Sequence, residues 1–142
     1  MAEFAPKSGP AIGIKMFKLS KRSLSRLEGV HPDMADVVKR AIELTEIDFG
    51  VSEGLRTLET QKKYLAKGAT TTLKSRHLTG HAVDVYAYID GKAQWAFPMY
   101  EKINEAFQQA ALELKTPIKW GGEWTSLVDG PHFQLTWKDY PA

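Results

Sequence analysis

The sequence contains no cysteine. That excludes disulfides, thiolate catalysis and cysteine-ligated zinc, so any metal must sit on histidine and carboxylate. It does not fix the compartment, because a cysteine-free chain suits the cytoplasm and also survives in an oxidising space. Long apolar runs are missing too. No stretch approaches the roughly 18 to 20 apolar residues that cross a bilayer, so no transmembrane segment is expected. No charged-then-apolar leader with a small-residue cleavage site is present, and the expectation is synthesis in the cytoplasm without a signal peptide. Nor is there a large excess of one charge: 19 Lys and Arg stand against 17 Asp and Glu, a net +2. Lys15, Lys18, Lys21, Arg22 and Arg26 cluster early, without the aromatic interleaving of a nucleic-acid surface. They read as a solvated basic face, and no nucleic-acid partner is expected.

What is present is one ordinary domain: 142 residues, 43% hydrophobic and 25% charged, enough for a single core. Residues 1–15 carry two prolines and two glycines without helical or strand period, and Met16 follows, so they read as a flexible leader or extension. Residues 16–142 form the single domain. Ser20 caps a short helix bearing Leu24 and Leu27. Pro32 opens a stronger one, with Met34, Val37, Val38, Ala41, Ile42 and Leu44 at helical spacing. A short strand at 48–52 precedes Gly54, and Thr57 caps a third helix that Gly68 stops. After a polar loop at 69–80 come a strand at 81–89, an Asp90-Gly91 turn and a long helix at 98–114. Strands at 116–120 and 132–137 flank a Gly-rich loop, 121–131. Interspersed helices and strands without repeating βαβ units predict an α+β fold: a small, mostly antiparallel sheet packed with three to four helices.

The chemistry gathers around histidine. His31, before Pro32, caps locally or does nothing, whereas His77, His81 and His132 fall on strands or their approaches. A zinc-protease helix motif needs glutamate directly after the first histidine; Leu78 stands there, and Gly80 argues against a helix. Strand alternation separates the candidates further. Asp84 points with Ala82 and Tyr86, and His81 with Val83 and Val85, so His81 and Asp84 do not readily share one ion. His77, released by the turn at Gly80, can reach Asp84. On the last strand Phe133, Leu135 and Trp137 share the core face, leaving His132 and Gln134 on the other. Two imidazoles and a carboxylate with a fourth position open make a catalytic zinc site, and an aspartate inside an apolar strand is costly unless paired or metal-bound. Such a site needs a base for the attacking water. Asp129, three residues before His132 across Gly130-Pro131, is one candidate, and Glu123 in the same loop competes.

The pattern Ser75-x-His77-x-x-Gly80-x-Ala82-x-Asp84, followed by Asp129-x-x-His132, resembles the D-Ala-D-Ala carboxypeptidase branch of the LAS metallopeptidases. Within it the chain is most similar to phage endolysins that are L-alanyl-D-glutamate endopeptidases. Gly54-Leu55-Arg56-Thr57, the metal motif and Trp120-Gly-Gly-Glu-Trp124 arrive in that family's order. The resemblance implies Zn2+ on His77, Asp84 and His132, Asp129 as the catalytic carboxylate, and Arg56 facing the substrate to stabilise the oxyanion. A plainer role for Arg56 is a salt bridge to Glu53. Ser75 is expected to bind substrate or shape its loop. Of the tryptophans flanking the site loop, Trp124 is the candidate for the substrate groove. Gln134 stands where relatives often carry an acid, and no EF-hand calcium pattern appears in the loop.

The implied activity is zinc-dependent hydrolysis of the L-Ala–D-Glu bond in peptidoglycan stems, by a monomer made in the host cytoplasm that acts on the wall after membrane permeabilisation. A D-alanyl-D-alanine carboxypeptidase and a non-catalytic wall-binding module are the alternatives.

Overall fold

A computed structural model describes residues 16–70, 72, 74–125 and 128–141. The proposed leader, 1–15, lies outside the described residues.

Among the described residues, four α-helices and five strands form the α+β fold that the periodicities predict. Helix α1 (Lys21–Arg26) begins at Ser20, whose side chain accepts from the backbone N–H of Ser23. Helix α2 (Pro32–Leu44) is the amphipathic one; His31 caps it by accepting from the Asp33 N–H. Strand β1 (Phe49–Glu53) leads to α3 (Leu58–Ala66), capped by Thr57. Strand β2 (Ala82–Ile89) turns at Asp90-Gly91 into β3 (Lys92–Gln94). Both turn residues have positive φ, 52° and 78°, as a tight hairpin turn of primed type requires. The Asp-Gly signal was legible in the sequence, while β3, exposed and without an apolar pattern, was not. Helix α4 (Phe97–Leu114), β4 (Ile118–Trp120) and β5 (His132–Leu135) complete the chain.

The strands pair antiparallel in the order β1-β2-β5-β4, with β3 on β2. One face of the sheet is apolar: Val51, Val83, Val85, Ala87, Trp120, Phe133 and Leu135 bury against α2 and α4. Phe107 of α4 stacks on Phe133 with ring centroids 3.9 Å apart, and Phe49 meets Phe107 at 5.4 Å. Fully burying such a ring stabilises by about 1.5–3 kcal/mol, which fixes the strand register and therefore which side chains face the opposite way. On that opposite face, the register sets Glu53 beside Asp84 and Asp84 beside His132. The next row sets Ala82 beside Gln134 and Gln134 beside Lys119.

Two local expectations need correction. Trp137 was expected on the core face, but β5 ends at Leu135 and Trp137 is 51% exposed, its indole over the Arg76 guanidinium at 3.9 Å. Alternation cannot be extended past the last ladder bond. The stretch before β2 is not all loop either: Arg76–Thr79 make one turn of 3-10 helix. Gly80 ends it at φ 76°, in the left-handed region that favours glycine. A Cβ there would also lie 2.4 Å from the Gly29 carbonyl oxygen.

Candidate metal and catalytic site

Three side chains converge from three segments. Asp84 comes from β2, His132 from the start of β5 directly opposite, and His77 from the 3-10 turn. Asp84 Oδ1 lies 3.2 Å from His77 Nε2 and 3.1 Å from His132 Nδ1. The three candidate ligand atoms all fall within 4.8 Å of one another. His81 stands apart, its Nδ1 2.6 Å from Thr79 Oγ1 and its ring against His31, as strand alternation predicts.

The far nitrogen of each imidazole fixes its tautomer. His77 Nδ1 is 2.8 Å from the carbonyl oxygen of Gly54, which can only accept, so the proton is on Nδ1. His132 Nε2 likewise donates to Gln134 Oε1 at 2.8 Å. Both rings therefore turn a lone pair towards Asp84, the arrangement in which histidine ligates a metal. His77 Nε2 is buried and has no hydrogen-bond partner. A buried nitrogen left open beside a carboxylate is what a bound cation would satisfy, and the donor set, two nitrogens and an oxygen, suits zinc.

The electrostatics follow from this crowding. Burial alone would push the Asp84 carboxyl up, but the His132 and His77 imidazoles packed against it outweigh burial and hold the group well below the usual carboxylate range. Burial opposes charging His132, yet Asp84 and Gln134 raise it above the ordinary imidazole value. Asp129 is shifted the other way. Burial and the neighbouring Asp84 charge raise it, with His132, His77 and Arg56 only partly offsetting them.

These residues line a groove of about 760 Å³. The comparisons with known proteins point to one family. Residues 15–136 match the profile described as phage L-alanyl-D-glutamate peptidase. The chain belongs to the phage L-alanyl-D-glutamate peptidase family. An L-alanyl-D-glutamate peptidase of Escherichia phage T5 is 34% identical over 117 residues, 80% of this chain and 85% of the relative. One from Listeria phage A118 is 29% identical over 84% of this chain but only 42% of its own length. The crystal structure of Serratia marcescens L-Ala D-Glu endopeptidase ChiX superposes with a TM-score of 0.86 at 46% identity. It covers 92% of this chain and 98% of that one.

In this member of the peptidase family, Asp129 is reached through the predicted tight turn. The His132 N–H donates to the Asp129 carbonyl oxygen at 3.1 Å across Gly130-Pro131. The Asp129 N–H donates to the Gly121 carbonyl oxygen at 2.9 Å, and the two segments touch so closely that a Cβ on Gly121 would meet that of Asp129 at 3.1 Å. Glu123, the competing base, is exposed and absent from the groove lining. Arg56 makes the salt bridge to Glu53, and its Nη2 is 3.8 Å from Asp84 Oδ2. Gln61 Oε1 accepts from its Nη1 at 2.6 Å, and Tyr64 lies under the guanidinium. Ser75 lines the groove and caps the 3-10 turn, accepting from the His77 N–H. Trp124 also lines it, its ring 4.9 Å from that of His132. Trp120 is instead buried, donating from Nε1 to the Gly130 carbonyl oxygen.

Four contributors had no clear signal in the sequence. Gln61 is completely buried on a helix with no other buried residue, and Tyr64, half-buried, follows one turn later. Nothing in the sequence around Arg76 or Lys119 singles out either, yet both line the groove. Gln134 was noticed only as a departure from an acid, and its position two residues after His132 on the same strand face was the available clue.

Proposed function

We propose that this chain is a zinc-dependent peptidoglycan peptidase that hydrolyses the L-alanyl–D-glutamate bond of the stem peptide. The observation that carries the reading is the pair of buried imidazoles turned, by Gly54 and Gln134, to present lone pairs beside Asp84. His77, Asp84 and His132 would hold the ion. When bound, zinc supplies a Lewis acid that polarises a carbonyl and makes water a stronger acid.

The remaining steps belong to the protein. Asp129, the carboxyl with raised proton affinity, takes the proton from the attacking water and returns it to the departing amine of D-glutamate. Arg56, anchored on Glu53, Gln61 and Tyr64, directs positive charge to where the scissile carbonyl oxygen becomes negative. Ser75 and Trp124 line the approach and orient the peptide. The substrate reading comes from the names of the relatives, and a phage enzyme of this kind acts as a monomer on the wall once the host membrane is breached. Its synthesis in the host cytoplasm follows the same reading.

The test is mass spectrometry of diaminopimelate-type muropeptides incubated with the purified protein. Release of stem peptides that begin at D-glutamate, abolished by chelator and restored by zinc, is the expected result. Loss of only the terminal D-alanine would replace the endopeptidase with a carboxypeptidase. Folded, zinc-loaded protein that binds wall and cleaves nothing would be a binding module.

A further inference from the structure

The two ends of the groove differ in charge. Towards Tyr64 and Thr70, the largely buried Arg56 cation is matched by Glu53 and Asp84, and the one further cation there among the described residues, Lys74, is solvent-exposed. At the other end stand Lys119, Arg76, Gln134 and Trp137. Among the described residues no carboxylate forms an ion pair with Lys119 or Arg76.

Lys119 is opposite Gln134 in the β4–β5 ladder, so its side chain rises from the same sheet face as the residue that holds His132. Arg76 is only 2% exposed. Its Nη2 donates to the carbonyl oxygens of Leu135, Thr136 and Tyr140, and Trp137 covers the guanidinium, but Nε and Nη1 find no acceptor. A buried guanidinium with open donors and no counter-ion is unfavourable unless an anion approaches it. The exposed Lys119 lines the same groove and adds a second positive charge to it.

We propose that this end is the subsite for the D-glutamyl side of the stem, with Lys119 taking the free α-carboxylate of D-glutamate and Arg76 supplying unneutralised charge beneath it. The proposal rests on the peptidase reading above. In a stem peptide the D-glutamate continues through its side-chain carboxyl, so its α-carboxylate is an anion close to the scissile bond. The L-alanyl side carries only a neutral amide and sugar. Charge therefore orients the substrate: the acyl part lies towards Tyr64, and the departing amine's residue towards Lys119.

Two N-acetylated stem tripeptides test it, identical except that the α-carboxyl of D-glutamate is free in one and amidated in the other. Zinc-loaded wild type should cleave the free acid with a kcat/KM at least tenfold higher, mainly through KM. Lys119→Glu should erase or invert the preference, and Lys119→Arg should retain it. Equal rates on both peptides in the wild type, or an equal fall on both in Lys119→Glu, would overturn the subsite. If wild type cleaves neither peptide, the peptidase reading has failed, and the subsite is then judged by binding. Tryptophan fluorescence titration should find the free acid bound tighter than the amide, with Lys119→Glu removing the difference, and equal affinities would overturn it.

Discussion

The two faces of the central sheet are buried by opposite means. On the core face, the side chains of Val83, Val85, Phe133 and Leu135 are fully inaccessible and belong to one apolar cluster. On the other, Asp84, His132 and Gln134 lie on the same two strands with Glu53 beside them on β1, and His132 is held by Asp84 and Gln134. Packing on the first face lowers the free energy without any ligand. The second gathers charge that burial disfavours, and His77 Nε2 remains unsatisfied. One face stabilises the molecule, and the other depends on that stability to hold an arrangement unfavourable in isolation.

The sharpest way to separate the faces is to remove Asp129. Asp129→Asn keeps size and shape but cannot move a proton, so kcat/KM on muropeptides should fall by about 10²–10⁴, the usual contribution of a general base. Bound zinc, measured by atomic absorption after dialysis, should stay stoichiometric, because the His77–Asp84–His132 group is intact. Retained activity would return the role of base to Glu123. The converse change lies in the core. Phe133→Ala removes a ring stacked on Phe107 and should lower unfolding free energy by about 3–5 kcal/mol in urea titrations. Its folded fraction should still bind zinc. If zinc affinity collapses while the protein stays folded, the two faces are coupled more tightly than their chemistry implies.

A smaller effect is expected from Gln134→Ala, which leaves His132 Nε2 without its acceptor. Such outer partners are typically worth 10- to 100-fold in metal affinity, measurable by competition with a chromogenic chelator. An unchanged affinity would mean that the opposing pair with Asp84 alone orients the ring.

The core face was largely legible in the sequence because apolar spacing is a local signal. Met34, Val37, Val38, Ala41 and Ile42 repeat at helical period, and Val83 alternates with Asp84. Alternation also separated His81 from Asp84, and the Asp129-x-x-His132 spacing foretold a turn. Where the ladder stopped, the inference stopped: Trp137, two residues beyond β5, left the core for Arg76. Gln61, Arg76 and Lys119 escaped notice for a related reason. Their sequence neighbours are polar, and only the folded arrangement turns one to Arg56, another under an indole and the third into the groove.

The subtlest difference between the faces is in how stability depends on pH. Burial, then the Asp84 charge, raise the Asp129 carboxyl above its ordinary value of 3.8. The folded chain therefore binds that proton more tightly than the unfolded chain does. The resulting stabilisation is complete below the unfolded pKa and is lost as pH rises through the higher folded one. At neutral pH the ionised carboxylate is a net burden on the fold, which asparagine does not carry. Thermal unfolding in the presence of chelator should accordingly find Asp129→Asn more stable than wild type at pH 7, with the gap closing as pH falls towards 4 and below. Parallel profiles across that range would mean that Asp129 ionises without cost, as a solvated surface aspartate does. A gap that opens towards neutral pH would instead identify a carboxyl whose proton affinity the fold raises, the property that suits it to carry a proton between water and a departing amine.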